Sequence, residues 1–135
     1  MSPVKWDAAE RAARIKQWKD GVLAIAEQAQ EWSAEQGWAV ARQEKQVHEE
    51  LLGDYEVPQL RIRVSDGELL LNPVGLHVIG AEGRIDLEAW PSLNRVKLVR
   101  HNDVWEVYTD SNVPLRRPWS KETFVQLAKD LVSTS

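Results

Sequence analysis

The stretch GRIDLEAWPSLNRVKLVRHNDVWEVYT, residues 83–109, decides the fold. Its apolar residues alternate with polar ones: Ile85, Leu87 and Ala89, then Val96 and Leu98, then Trp105 and Val107. Period-two alternation is the pattern of strands with one face in a core and one in water. PSLN (91–94) reads as a turn. Asn102-Asp103 reads as a two-residue hairpin loop, because both residues tolerate positive φ. With that loop, Leu98 lies opposite Val107 and Arg100 opposite Trp105. Val96, Leu98, Trp105 and Val107 share the apolar face, and Lys97, Val99, Glu106 and Tyr108 share the reverse. The apolar face is what a covering helix would sit on.

Upstream, QLRIRV (59–64) alternates in the same way, and SDG (65–67) is a tight-turn signal. ELLL (68–71) is a short continuous apolar run, as in a strand buried on both faces. NPVG (72–75) reads as a turn with proline at its favoured position. LHVI (76–79) reads as a further strand. WAVARQEKQVHEE (38–50) is ambiguous: its Glu, Gln, Lys and Ala favour helix, while Gly37 and the change of pattern favour a new element. It is read as a strand, joined onward by LLGD (51–54). The sum is an antiparallel meander of six or seven strands over residues 38–109.

Helices flank the meander. Residues 3–36 predict a long helix, with Ser2 as cap and Pro3 at the first position. Ile15, Trp18, Val22, Ile25, Ala29 and Trp32 form a stripe, and Gly37 ends it. Such a helix would be about 50 Å long at ~1.5 Å per residue. A strand of ordinary length covers only about 17–20 Å. Either the helix breaks near Gly21 and folds onto its own sheet, or part of it overhangs. An overhanging stripe carrying Trp6 and Trp18 would need a partner, most simply a second copy docking on Ile15, Trp18, Val22 and Ile25. At the other end, DSNVPLRRPW (110–119) reads as a proline-bearing connection. Ser120 then caps a helix over 120–132, with Phe124, Leu127, Ala128 and Leu131 as its apolar stripe. The expected fold is one α+β domain spanning 1–135, helices packed on one face of the sheet.

With 43% hydrophobic and 28% charged residues, the composition is that of a globular chain and not a disordered one. There is no cysteine, which excludes disulfides, thiolate nucleophiles and cysteine-built zinc sites. No apolar window of signal-peptide or membrane-spanning type occurs, so a cytoplasmic location without membrane contact is expected. A net charge of −4 opposes nonspecific nucleic-acid binding. The seven tryptophans are read first as core builders. Histidines 48, 77 and 101 have no metal-ligand spacing, and the glycines open no phosphate-binding helix. Neither metal nor cofactor is expected.

Asp86 and Glu88 sit two apart on one predicted strand, with Lys97 on the next. Carboxylates that hold a divalent cation beside a lysine that orients water are a plausible hydrolytic set. The layout resembles the PD-(D/E)xK nuclease family, with Glu31 or Glu35 standing for a helical acid. That resemblance would imply a metal-dependent nuclease. The second motif reads RVK (95–97), however, with Arg95 where the family places an acid. The same residues are also read as a charged, partly aromatic sheet face: Arg84, Asp86, Glu88, Trp90 and Tyr108. Arg116, Arg117 and Trp119 are a second basic and aromatic candidate, although the favoured reading of PLRRPW (114–119) is structural, with the prolines stiffening the connection and Trp119 plugging the core beside the last helix. The sequence therefore favours a non-catalytic protein-interaction domain, with a protein or a second copy as partner. The alternatives are the divergent nuclease and a ligand pocket lined by tryptophans under the helices.

Overall fold

The computed structural model describes residues 7–50, 52–75, 83–109 and 116–133. They form α1 (Ala8–Glu35), β1 (Val40–Glu49), β2 (Gly53–Val64), β3 (Gly67–Gly75), β4 (Arg84–Trp90), β5 (Arg95–His101), β6 (Val104–Thr109), β7 (Arg116–Pro118) and α2 (Lys121–Val132). The strands make one open antiparallel sheet in chain order, β1 to β7, and each pairs with the next. This is the single α+β domain that the alternation predicts. Among the described residues no helix is long and apolar enough to cross a membrane.

LHVI (76–79), read as a strand, lies outside the described residues. Two elements differ from the reading of the sequence: NPVG (72–75), read as a turn, is the end of β3, and the seventh strand is Arg116–Pro118, within the stretch read as a connection. Its proline is tolerated because an edge strand needs amide hydrogens on one side only. The ambiguous 38–50 segment resolves as β1, paired with β2 along its whole length. Pairing with a neighbour outweighs the helix preference of its side chains.

α1 is continuous. Asp7 caps it by accepting from the Glu10 amide at 2.8 Å, so the described helix starts there and not at Ser2; Ser2, Pro3 and Trp6 lie outside the described residues. At the other end Gly37 takes φ +77°, with Gly37 N–H to Ala34 O and Trp38 N–H to Ser33 O. That pair of bonds is the Schellman closure that glycine permits. The 28 residues span about 42 Å. Residues 8–14 are all exposed, so the helix overhangs at its start. The stripe itself does not await a partner. Trp18, Val22 and Ile25 are buried in the domain's own core, and half-buried Ile15 packs against it. The expected dimer stripe is therefore the underside of α1. Gly21, which reads as a weak point, is a notch instead. A Cβ there would lie 2.9 Å from Nη1 of Arg100, whose guanidinium passes beneath the helix and over the Trp105 ring.

The β5–β6 hairpin has the expected register, Leu98 opposite Val107 and Arg100 opposite Trp105. Asn102 and Asp103 both take positive φ, 50° and 62°, the backbone twist that two-residue hairpins favour. Most of the core lies between the sheet and both helices, with Leu60, Ile62, Leu69, Leu71, Ile85, Leu87 and Leu98 fully buried, while Val47, Tyr55 and Val57 are buried on the reverse face of β1 and β2. Leu70 is only half-buried, so ELLL alternates instead of being enclosed on both sides. Ser120 caps α2 as expected, and Phe124, Leu127, Ala128 and Leu131 are its buried side. Trp32, Trp38, Trp119 and Phe124 gather where α1 and α2 meet, with ring centres 5.3–6.3 Å apart in the contacting pairs.

One irregularity shapes the rest of the sheet. The Arg63 amide donates to the Ala39 carbonyl at 2.9 Å. In an antiparallel pair successive residues turn their backbone groups to alternate sides, and the β1–β2 register is unbroken. Odd-numbered residues of β2 therefore address β1, and even-numbered ones, Pro58 included, address β3. The β2–β3 ladder runs from Val64–Gly67 to Leu60–Leu71 and stops. Two residues further it would set Pro58 opposite Pro73. Neither has an N–H, so that pair has no donor and the strands part.

Candidate interaction surface

β4 carries Arg84, Asp86, Glu88 and Trp90 on the face away from the helices, as the alternation predicts. Cross-strand register sets Asp86 between Asn72 and Lys97, and Glu88 between Leu70 and Arg95. The nuclease-like set Asp86, Glu88 and Lys97 is thus brought together on one face. Its chemistry is constrained by a neighbour. Asp86 is 4% exposed and accepts from Arg84 twice, Nε to Oδ1 at 2.7 Å and Nη2 to Oδ2 at 3.0 Å. Both carboxylate oxygens are engaged by a cation in the bidentate geometry that arginine favours. Among the described residues no group of three or more His, Asp or Glu is placed to hold a metal ion.

A polar network that the sequence reading missed crosses this face from β1. Lys45 Nζ donates to Asn72 Oδ1 and to the Pro73 carbonyl, each at 2.7 Å. The second bond supplies the donor that Pro58 lacks. Gln59 Nε2 also donates to Asn72 Oδ1 at 2.9 Å, and Gln43 donates to Gln59. Asn72 Nδ2 reaches Glu88 Oε1 at 3.3 Å. Burial holds the Lys45 ammonium below its usual pKa, partly offset by the charges of Glu88 and Asp86. In the sequence Lys45 lies among residues that favour a solvated helix, and its role becomes visible only once the two prolines are known to face each other.

Below the network the face opens into a cleft of about 1170 Å³. Arg61, Glu68, Leu70, Glu88, Trp90 and Arg95 line it on the helix-free side, and it continues around the β4–β5 turn to Leu127 and Leu131. Trp90 is 63% exposed and Leu93 71%. They stand on a fixed turn: Ser92 Oγ and Asn94 Nδ2 both donate to the Leu131 carbonyl, at 2.5 and 2.9 Å. Leu131 is in the last turn of α2, where carbonyls lack helical partners. The turn thus caps α2, and α2 anchors the turn.

The remaining residues of the expected surface fall elsewhere. Tyr108 and Arg116 share the open face, and Arg116 lies 3.4 Å from Glu106, but β7 is three strand spacings from β4, about 14 Å. Arg117 pairs with Val107 and so belongs to the helix side, where it lines the far end of the cleft. Trp119 does not join the face at all. It packs on Trp32 and Phe124 and donates from Nε1 to Gln28 at 2.9 Å. Of the tryptophans among the described residues, only Trp90 lines the cleft. Set against known proteins, the chain matches no family model, no curated protein and no solved structure.

Proposed function

We propose that the chain is a non-catalytic interaction domain, and that the cleft around the β4–β5 turn receives a protein segment bearing an apolar anchor. The observation that carries this reading is the pairing of exposed Trp90 and Leu93 on a turn fixed to α2, at the rim of an open cleft. Aromatic and arginine side chains dominate the binding energy of protein interfaces. Here Trp90 shares the cleft with Arg61, Arg95 and Leu70. A rigid rim lowers the entropy lost when a partner docks.

The test compares proteins captured from the native lysate by the intact chain and by the double variant Trp90→Ala, Leu93→Ala. Val104→Ala serves as control, because Val104 is also exposed, at 55%, but lies outside the cleft. The reading expects a specific protein to be retained by the wild type and the control and lost by the double variant. Equal capture by all three would refute it. The nuclease reading is less well supported, since Arg84 occupies the Asp86 carboxylate. A rise in melting temperature with Mg²⁺ or Mn²⁺ that Asp86→Ala abolishes would revive it.

A further inference from the structure

The outer side of β1 is an edge, and among the described residues no strand pairs with it. Because the Arg63–Ala39 bond fixes which backbone groups face β2, the even-numbered residues of β1 turn theirs outward. Val40, Arg42, Glu44, Gln46 and His48 therefore turn N–H and C=O groups along the edge that no strand pairs with among the described residues. Such an edge is a template for another strand. Proteins commonly guard edges with lysine. The lysine here, Lys45, is turned inward onto Asn72 and Pro73.

We infer that the occupant of this edge is a second copy of the chain. Two β1 strands pair antiparallel about a twofold axis at Gln43, and the two sheets become one. The register follows from two conditions. The backbone groups that meet must both point outward, so only even-numbered residues form the hydrogen-bonded pairs. The charges must also be complementary. Centring on Gln43 sets Arg42 opposite Glu44 of the other copy, twice, by symmetry. It also sets Val40 opposite Gln46. Centring on Arg42 or on Glu44 would place like charges face to face, and centring on Lys45 would oppose two ammonium groups. Arg42 and Glu44 lie on the face that carries Leu60 and Ile62, and their side chains are 41% and 48% exposed. This edge lies on β1, away from the Trp90 cleft, and the inference does not rest on the cleft reading.

Sedimentation velocity on the full chain over a concentration series is the test, with Arg42→Glu, Glu44→Arg and the exchange of both. The wild type sediments as a dimer at high concentration. Each single change opposes like charges twice and raises the dissociation constant about tenfold or more. The double exchange restores the wild-type constant. Glu44→Pro removes only an outward N–H, so it abolishes the dimer and leaves the melting profile of the monomer cooperative. A wild type that stays monomeric throughout overturns the inference. So does a dimer indifferent to the single changes or to Glu44→Pro, or a double exchange that remains dissociated.

Discussion

Leu87 and Glu88 are neighbours in the chain and meet opposite worlds. Leu87 is fully buried beneath the helices, while Glu88 lines an open cleft and accepts from Asn72. The contrast extends over the whole sheet. On the helix side, close packing of Trp18, Val22, Leu60, Leu69, Leu87 and Phe124 supplies the area that drives folding. On the other side, polar side chains bond one another across strands, and Trp90 and Leu93 stand in solvent. Most of the packing lies on the helix face, and the other face adds only a smaller buried group, Val47, Tyr55 and Val57, beside its polar network.

The strongest challenge to that division is a change on the helix side. Trp18→Ala removes a fully buried side chain, and an unfolding free energy lowered by about 3–5 kcal/mol is expected in urea titration. Gly83→Ala presses on the same ring, because a Cβ at Gly83 would overlap Trp18. Overpacking there lowers stability by about 1–3 kcal/mol. Lys45→Met probes the open face. It leaves the Pro73 carbonyl without its donor, but the site is half-exposed and water can enter, so a loss of about 1 kcal/mol is expected in the same titration.

A smaller effect sharpens the comparison between ammonium groups. Burial lowers the pKa of Lys45 below 10.5, whereas hydrogen bonds to Asp20 and Glu35 raise those of Lys16 and Lys121 above it. For Lys45 the folded state releases its proton before the unfolded state does, so its contribution to stability grows as pH climbs from the folded value toward 10.5. For Lys16 and Lys121 the sign reverses, and their contribution is lost as pH rises through the folded values. Carbon-detected NMR of the lysine side chains is expected to show Lys45 titrating first and those two last. Simultaneous titration of all three would place Lys45 in bulk solvent.

Much of this division is legible in the sequence where the determinants are local. Asn102-Asp103 between alternating strands fixes the β5–β6 register, and register in turn fixes which β4 residues share a face. Ser120 and the Phe124–Leu131 stripe announce α2 for the same reason. What stays hidden depends on contacts between distant segments. Pro58 and Pro73 each look like ordinary turn or edge residues until the β2–β3 register sets them opposite. Gly21 looks like a helix breaker until Arg100, from β5, is seen to pass beneath it. Trp119 reads as a core plug beside the last helix or as a surface aromatic beside two arginines, and the packing of α1 against α2 places it with the core. The α1 stripe is visible as a stripe, but periodicity cannot say whether its cover is the chain's own sheet or a second copy.

The central claim is that the fold is carried chiefly by the helix side and that Trp90 and Leu93 take no part in holding it. Equilibrium unfolding of the double variant Trp90→Ala, Leu93→Ala tests this most directly. Both side chains are exposed, and although Leu93 holds φ +66°, alanine bears that conformation at a cost close to leucine's, so the unfolding free energy of the variant is expected within about 1 kcal/mol of the wild type. A loss of about 3 kcal/mol or more, comparable to that expected for Trp18→Ala, would show that these residues hold the domain together and would contradict the account.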